Sequence, residues 1–298
     1  MKNRLVPLVL VLAAVLAACT GSSASTAAPA TTAQVAAAPA TAAPATPAPS
    51  QEASVGPSTA AVDLTVYAAA SLKKPLAKLK AAYEAANPGT TLTISTDSST
   101  ALATKIEQGA PADVFLSADM KNPQSLVDKG LAVAPATPFA GNTLTVIVPA
   151  GDPAGITSPA DLAKPGVKII TCADNVPIAK YAAKVVENLA EEPGYPADFA
   201  AKYTANVASK EDNVAAVVSK IELGEGDAGI VYVTDAKGSD KVTAIPIPDT
   251  ANVPATYGGV VVTASPHQDA AAAFIAWLAG PEGQAILRSL GFLPPPAA

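Results

Sequence analysis

From Val62 to Ser289 the chain alternates short runs suited to strands with longer runs at helical spacing, and this rhythm limits the fold more than any other feature. Val62 to Tyr67 alternates as a strand should, and Leu72, Leu76, Leu79 and Tyr83 then recur at helical intervals up to Asn87-Pro88-Gly89. The spacing predicts further strands at Thr91–Ser95, Asp113–Leu116, Thr143–Val148, Val167–Thr171, Gly229–Val233, Val242–Ile245 and Val260–Thr263. Between and after them it predicts helices from Ser99 to Gly109, Gln124 to Lys129, Ile178 to Leu189, Asp212 to Leu223, Gln268 to Leu278 and Pro281 to Ser289. Strands that alternate with helices in this way imply an α/β fold with parallel sheets.

The first 61 residues obey different rules. Lys2 and Arg4 precede an apolar run, Leu5 to Leu16, which leads into Leu16-Ala17-Ala18-Cys19. A basic start, a short apolar core and small residues before a cleavage point describe a secretory signal at 1–18. The run is too short for the roughly 20 residues of a membrane span. Leu-Ala-Ala-Cys resembles the bacterial lipobox, which implies cleavage before Cys19 and a lipid on its sulfur. Residues 19–61 are then the lipidated Cys and a tether of Ala, Thr, Ser and Pro whose only charge is Glu52. Such a stretch buries too little apolar surface to offset its ordering entropy, and its prolines favour an extended spacer. Its composition also permits O-glycosylation. The remaining cysteine, Cys172, has no partner for a disulfide and reads as a small buried hydrophobe.

Charge and residue inventory exclude several function classes. The chain carries 19 basic and 25 acidic side chains with no basic cluster, which argues against nucleic acid as a partner. His267 is the single histidine and reads as an exposed residue at a helix start, so a nucleophilic triad or a histidine metal site has little to build on. No cysteine pair for zinc, Walker motif or dinucleotide glycine pattern is present. No enzyme is expected, and no cofactor.

The chemistry lies at strand-to-helix junctions rich in small hydroxyl residues. Ala68-Ala69-Ala70-Ser71-Leu72 is the first, with Ser71 expected as an N-cap, and Asp97-Ser98-Ser99-Thr100 is the second. Asn175-Val176-Pro177-Ile178 and Glu211-Asp212-Asn213-Val214 open later helices. Each alone is an ordinary helix start. Together, at the carboxyl ends of strands, they are where open α/β sheets bind ligands, and their free N–H groups suit an anion.

These junctions resemble the family of periplasmic molybdate-binding proteins. The resemblance rests on Ala68 to Leu72, Ser98-Ser99-Thr100, the specific stretch Glu107 to Asp119, Gly141-Asn142, Val176-Pro177, Gly229-Ile230-Val231-Tyr232 with Asp235, and the closing Leu278 to Pro281 and Gly291-Phe292. It implies the class II periplasmic solute-binding fold, two α/β lobes joined by two crossing strands with the ligand cleft between. Residues 62–141 with 257–293 would form lobe one, and 142–256 lobe two. It implies that the hydroxyls of Ser71, Ser99 and Tyr232 and the backbone N–H groups of Ile178 and Val214 hold the oxyanion, with no direct protein–metal ligand. Within Ser98-Ser99-Thr100 the exact donor stays open, and Asp97 would repel an anion unless it points away.

The implied function is capture of molybdate, with tungstate as a second ligand, and delivery to the permease of an ABC importer. The implied location is the outer face of the cell membrane, where the chain is held as a monomer by lipid on Cys19. A receptor for sulfate or phosphate is the alternative reading, and a surface adhesin or an enzyme on the same scaffold is a more distant one.

Overall fold

The computed structural model describes residues 61–296. The expected signal, Cys19 and the tether lie outside the described residues.

In chain order the elements are β1 (Val62–Ala69), α1 (Lys73–Ala86), β2 (Thr90–Asp97), α2 (Ser99–Glu107), β3 (Val114–Ser117), α3 (Lys121–Asp128), β4 (Thr137–Asn142) and β5 (Leu144–Pro149). Then come β6 (Ile169–Cys172), α4 (Pro177–Glu191), α5 (Phe199–Ala205), β7 (Val207–Glu211), α6 (Val214–Glu222) and β8 (Gly229–Tyr232). The last are α7 (Val233–Lys237), β9 (Val242–Pro246), β10 (Ala255–Val261), α8 (Gln268–Ala279) and α9 (Pro281–Ser289).

The strands form a five-stranded sheet in the order β2-β1-β3-β10-β4, a three-stranded sheet β8-β5-β9 and a pair β6-β7. A bridge between Ile169 and Ala228 ties the pair to the three-stranded sheet. β4 and β10 belong to the large sheet and β5 and β9 to the small one, so the chain passes between sheets at Thr143 and again after Pro246.

The expectation of parallel sheets holds only in part. β1 pairs in parallel with β2 and β3, and β6 with β7. β10 runs antiparallel to β3 and β4, and β5 antiparallel to β8 and β9. The helical crossovers after β1 and β2 return the chain in parallel, whereas β10 enters from the other sheet and lies in the opposite sense.

Both faces of the large sheet are covered, as the unbroken apolar strands require. On β3 the alternation is direct. Phe115 packs with Leu102 and Ile106 of α2 and Leu126 of α3, while Val114 and Leu116 belong to the core that includes Leu76 and Leu79 of α1 and Phe274 of α8. In the small lobe α6 lies close against β6 and β8. A Cβ on Gly229 would stand 2.8 Å from the Ile170 carbonyl oxygen and 2.9 Å from Val217 Cγ1, so only glycine lets these backbones approach. That closeness fixes where α6 begins and where Tyr232, three residues past Gly229, ends its strand.

Three local differences from the sequence reading shape the site. Ser71 is not an N-cap: it lies in a 3-10 turn, Ala70–Leu72, and Leu72 is the residue before α1. The strand expected to reach Val233 stops at Tyr232, and Val233 starts α7. The α6 cap is Asn213, whose side chain accepts the Ala216 N–H at 3.1 Å. Cys172 is buried, as a small hydrophobe should be, and burial lifts its thiol far above the ordinary range.

Candidate functional site

A small cavity lies past the carboxyl ends of β1, β3 and β8. It is lined by Ser71, Ser98, Ser99, Ile178, Val214 and Tyr232, with Ala69, Ala70, Ala118, Val176 and Pro177 completing the wall. The five residues implied to hold the oxyanion therefore meet around one space. About 10 Å³ is open to the centre of a water-sized sphere, about the room that one water molecule needs. Among the described residues no Lys, Arg, Asp or Glu lines it.

A larger cavity of about 650 Å³ lies at the opposite end of the large sheet, against Asp63, Asp113 and His267. It sits at the amino ends of β1 and β3 beside the start of α8, and the carboxylates Asp63, Glu107 and Asp113 line it, so it does not suit an anion. His267 itself is half-buried at the start of α8, and its backbone N–H donates to Ser265 Oγ at 3.0 Å.

Several lining groups keep a donor free. Ser99 Oγ accepts the backbone N–H of Ala118 at 3.0 Å, which leaves the Ser99 proton free. Ser98 Oγ accepts the Ala101 N–H at 3.3 Å as the N-cap of α2. Thr100 does not line the cavity, and its hydroxyl is already given to the Asn175 carbonyl at 2.7 Å. Of the three hydroxyl residues, Ser98 and Ser99 thus face the space. Val214 is the first residue of α6 and Ile178 the second of α4, positions whose N–H groups lack intrahelical partners. Three helix N-termini, of α2, α4 and α6, contribute wall residues, and their dipoles favour negative charge between them.

The Tyr232 hydroxyl is buried and has no hydrogen-bond partner among the described residues. Its ring packs against Tyr181 and Tyr257, with centroids 6.3 and 5.6 Å away. Burial raises its phenol well above the ordinary value of 10.0, with nearby Tyr257, Tyr181, Asp235 and Asp119 adding to the effect, so it keeps its proton and can donate. A buried hydroxyl without a partner costs free energy that an acceptor in the cavity would recover.

Asp97 does not line the cavity, although its Oδ1 lies 3.5 Å from Asn213 Nδ2 at the start of α6. Its Oδ1 accepts the Ser98 N–H at 2.8 Å and its Oδ2 lies 3.1 Å from Lys105 Nζ. The stretch Glu107 to Asp119 works as scaffold. Asp113 Oδ2 accepts the Thr65 N–H at 2.7 Å, tying the entry of β3 to β1. Asp119 Oδ1 accepts the N–H of Asn122 at 3.0 Å at the start of α3. Between them sits Ala118, the residue that orients Ser99.

Sequence reasoning missed the groups behind the wall. Tyr257 Oη lies 3.0 Å from Ser71 Oγ, and Asn142 Nδ2 lies 2.8 Å from Thr234 Oγ1 and 3.4 Å from Tyr257 Oη. The sequence cues are the Gly141-Asn142 pair just before a β-branched run and Asp235, both part of the resemblance but given no role there. Asp235 lies on α7. Its Oδ2 is enclosed and unpartnered among the described residues. Burial pushes its carboxyl up to about 7, against the Tyr232 backbone N–H and the charge of Lys74, which pull it down.

An unfolded Asp titrates near about 3.9. Between that value and about 7 the folded protein holds a proton that the unfolded chain has lost, so stability falls as pH rises through this window. Below both values Asp235 adds no pH dependence. Asp235→Asn is expected to flatten this fall, read from urea melts at a series of pH values. An unchanged slope would contradict the assignment.

The fold and this donor-lined cleft define a solute receptor, and the chain belongs to the bacterial extracellular solute-binding protein family, which matches residues 64–293. The fold is the two-lobed α/β solute-binding type. The chain is 34% identical over 241 residues to the molybdate-binding protein ModA of Mycobacterium tuberculosis, covering 80% of this chain and 88% of that one. With ModA of Haemophilus influenzae it shares 31% over 244 residues, covering 78% and 91%. Among solved structures it is similar to the "substrate binding domain of putative molybdenum ABC transporter from Clostridium difficile", with TM-score 0.59, 30% identity, and 78% and 99% of the two chains covered. The sulfate-binding protein SubI of Mycobacterium tuberculosis shares the fold at TM-score 0.70 and 21% identity, with 78% and 87% covered.

Proposed function

We propose that this chain captures molybdate outside the cytoplasm and passes it to an ABC importer, with tungstate as a second ligand and no cofactor of its own. The observation that carries this reading is the cavity in which a buried, unpartnered Tyr232 hydroxyl meets the hydroxyls of Ser71 and Ser99 and the helix starts at Ile178 and Val214. All of these donate. A fully deprotonated tetrahedral dianion such as molybdate accepts hydrogen bonds and offers none, so it matches such a wall without any counter-charge. Hydrogen bonds to a charged acceptor are roughly twice as strong as neutral ones, and a water-poor cleft raises their worth. The relatives named for molybdate support the choice among oxyanions.

In this reading residues 62–141 with 257–293 form one lobe and 142–256 the other. Ser71 and Ser99 hold the ligand from the first, and Ile178, Val214 and Tyr232 from the second. Binding would thus draw the lobes together. The protein acts as a monomeric receptor and not as an enzyme.

The test is a thermal-shift panel with molybdate, tungstate, sulfate and phosphate. A ligand that binds only the folded state raises the melting temperature in proportion to the logarithm of its excess over Kd. Molybdate and tungstate are expected to give large, similar shifts. Sulfate is smaller and leaves some buried donors unpaired at about 1 to 3 kcal/mol each, so its shift should be far smaller. Equal shifts for sulfate and molybdate would remove the molybdate assignment.

The same reading holds the receptor at the membrane by lipid on Cys19. Cys19→Ala is expected to release or mis-process the protein in fractionated cells. A variant still membrane-bound and normally trimmed would rule the anchor out.

A further inference from the structure

A cavity of about 270 Å³ opens where the start of α1, the end of α7 and the turn after α9 meet. Its size is close to the roughly 300 Å³ at which small-molecule pockets begin. Lys74, Lys237 and Arg288 line it, and among the described residues no Asp or Glu does. Eight other lysines of the described residues are paired with carboxylates, whereas Lys74, Lys237 and Arg288 have no ion pair there. Arg288 is also the only arginine among the described residues. Asp235 feels the charge of Lys74 but lines a neighbouring space and not this one. Like charges gathered around one hollow repel each other until an anion enters. The lysine stems are seated by glycines. A Cβ on Gly238 would stand 2.9 Å from Lys74 Cδ, and one on Gly291 would stand 2.8 Å from Lys237 Cδ and Nζ. The Lys74 ammonium donates to the Gly238 carbonyl, which holds it at the wall. Pro75, Leu290 and Phe292 give the hollow an apolar flank.

We infer that this hollow is a second anion site, in which Lys74, Lys237 and Arg288 bind the phosphoryl group of a phosphate monoester. Three positive charges around one space suit a group that carries nearly two negative ones. The Arg288 fork takes two phosphoryl oxygens at once, while the ammonium groups act as point charges. The apolar flank suits the carbon side of an ester, which bare phosphate lacks. A soluble ester such as glycerol phosphate and the headgroup of phosphatidic acid present the same group. The site is independent of the molybdate reading, because no residue lines both this space and the small cavity. It also works by a different chemistry, full charges near solvent in place of neutral donors in an enclosed wall.

The experiment is calorimetric titration of the purified full chain at low ionic strength with three probes: glycerol phosphate, dihexanoyl phosphatidic acid below its micelle concentration, and inorganic phosphate. Both esters are expected to bind more tightly than inorganic phosphate, and all binding should weaken as salt is added. Tighter binding of the phosphatidic acid assigns a lipid headgroup, and equal or weaker binding assigns a free ester. Lys237 and Arg288 are exposed, so Lys237→Gln and Arg288→Gln leave the fold intact. Each should weaken ester binding about 3- to 10-fold, between the worth of an exposed ion pair and that of a charge-assisted hydrogen bond, and the double variant should weaken it further. Ser71→Ala and Tyr232→Phe should leave ester binding unchanged, which separates this site from a phosphate seated in the small cavity. No binding of either ester at millimolar concentration would overturn the inference. So would ester binding that survives the double variant or is lost with Ser71→Ala. Whether the unaltered protein binds molybdate enters none of these outcomes.

Discussion

Tyr232→Phe is expected to weaken molybdate binding by about 10- to 150-fold while leaving the ligand-free protein as stable as before, or slightly more so. The hydroxyl is buried and without a partner among the described residues, so its removal in the free protein takes away no hydrogen bond. The ring contacts with Tyr181 and Tyr257 remain. In the bound state the same deletion removes a donor to a charged acceptor, worth about 1.5 to 3 kcal/mol, which gives that range of affinity. Calorimetric titration beside melting curves of the free protein checks both halves. An unchanged affinity with a lowered melting point would place Tyr232 in the core and outside the site.

Val214→Pro should weaken binding over the same range, and for a purely backbone reason. Val214 is the first residue of α6, where proline is favoured because the N–H has no intrahelical partner and φ is near the helical value. Asn213 before it has φ −157° and ψ 164°, the extended geometry that a residue preceding proline adopts. The helix should therefore form, with a modest loss from trimming a buried side chain. The one group lost that matters to an anion is the N–H. A variant that folds and binds molybdate as tightly as the unaltered protein would show that this helix start does not hold the ligand.

Much of this architecture is legible in the amino-acid sequence, because it depends on local patterns. Apolar spacing locates α1, α4, α8 and α9, and β-branched runs locate β5 and β8. What escapes depends on tertiary context. β7, Val-Ala-Ser-Lys-Glu, has no apolar alternation, since it pairs along one side only, with β6. In α7, Val233 and Thr234 favour a strand, yet the chain turns helical once Tyr232 has reached the end of its sheet. Ser71 looks like a helix cap because serine often is one. Its hydroxyl instead serves Tyr257, 186 residues away in the chain. The five wall residues can be named from resemblance to known receptors. The hydrogen bonds behind them cannot, because no local pattern pairs Asn142 with Tyr257, 115 residues away in the chain.

The central claim is that one tetrahedral oxyanion sits between the two lobes on donors from both. Anomalous diffraction at the molybdenum absorption edge, from crystals grown with molybdate, tests it most directly. The expected result is a single strong peak in the small cavity, with oxygens within hydrogen-bond reach of Ser71, Ser99 and Tyr232 and of the Ile178 and Val214 N–H groups. No peak there, or a peak in the large cavity beside Asp113 and His267, would contradict the account.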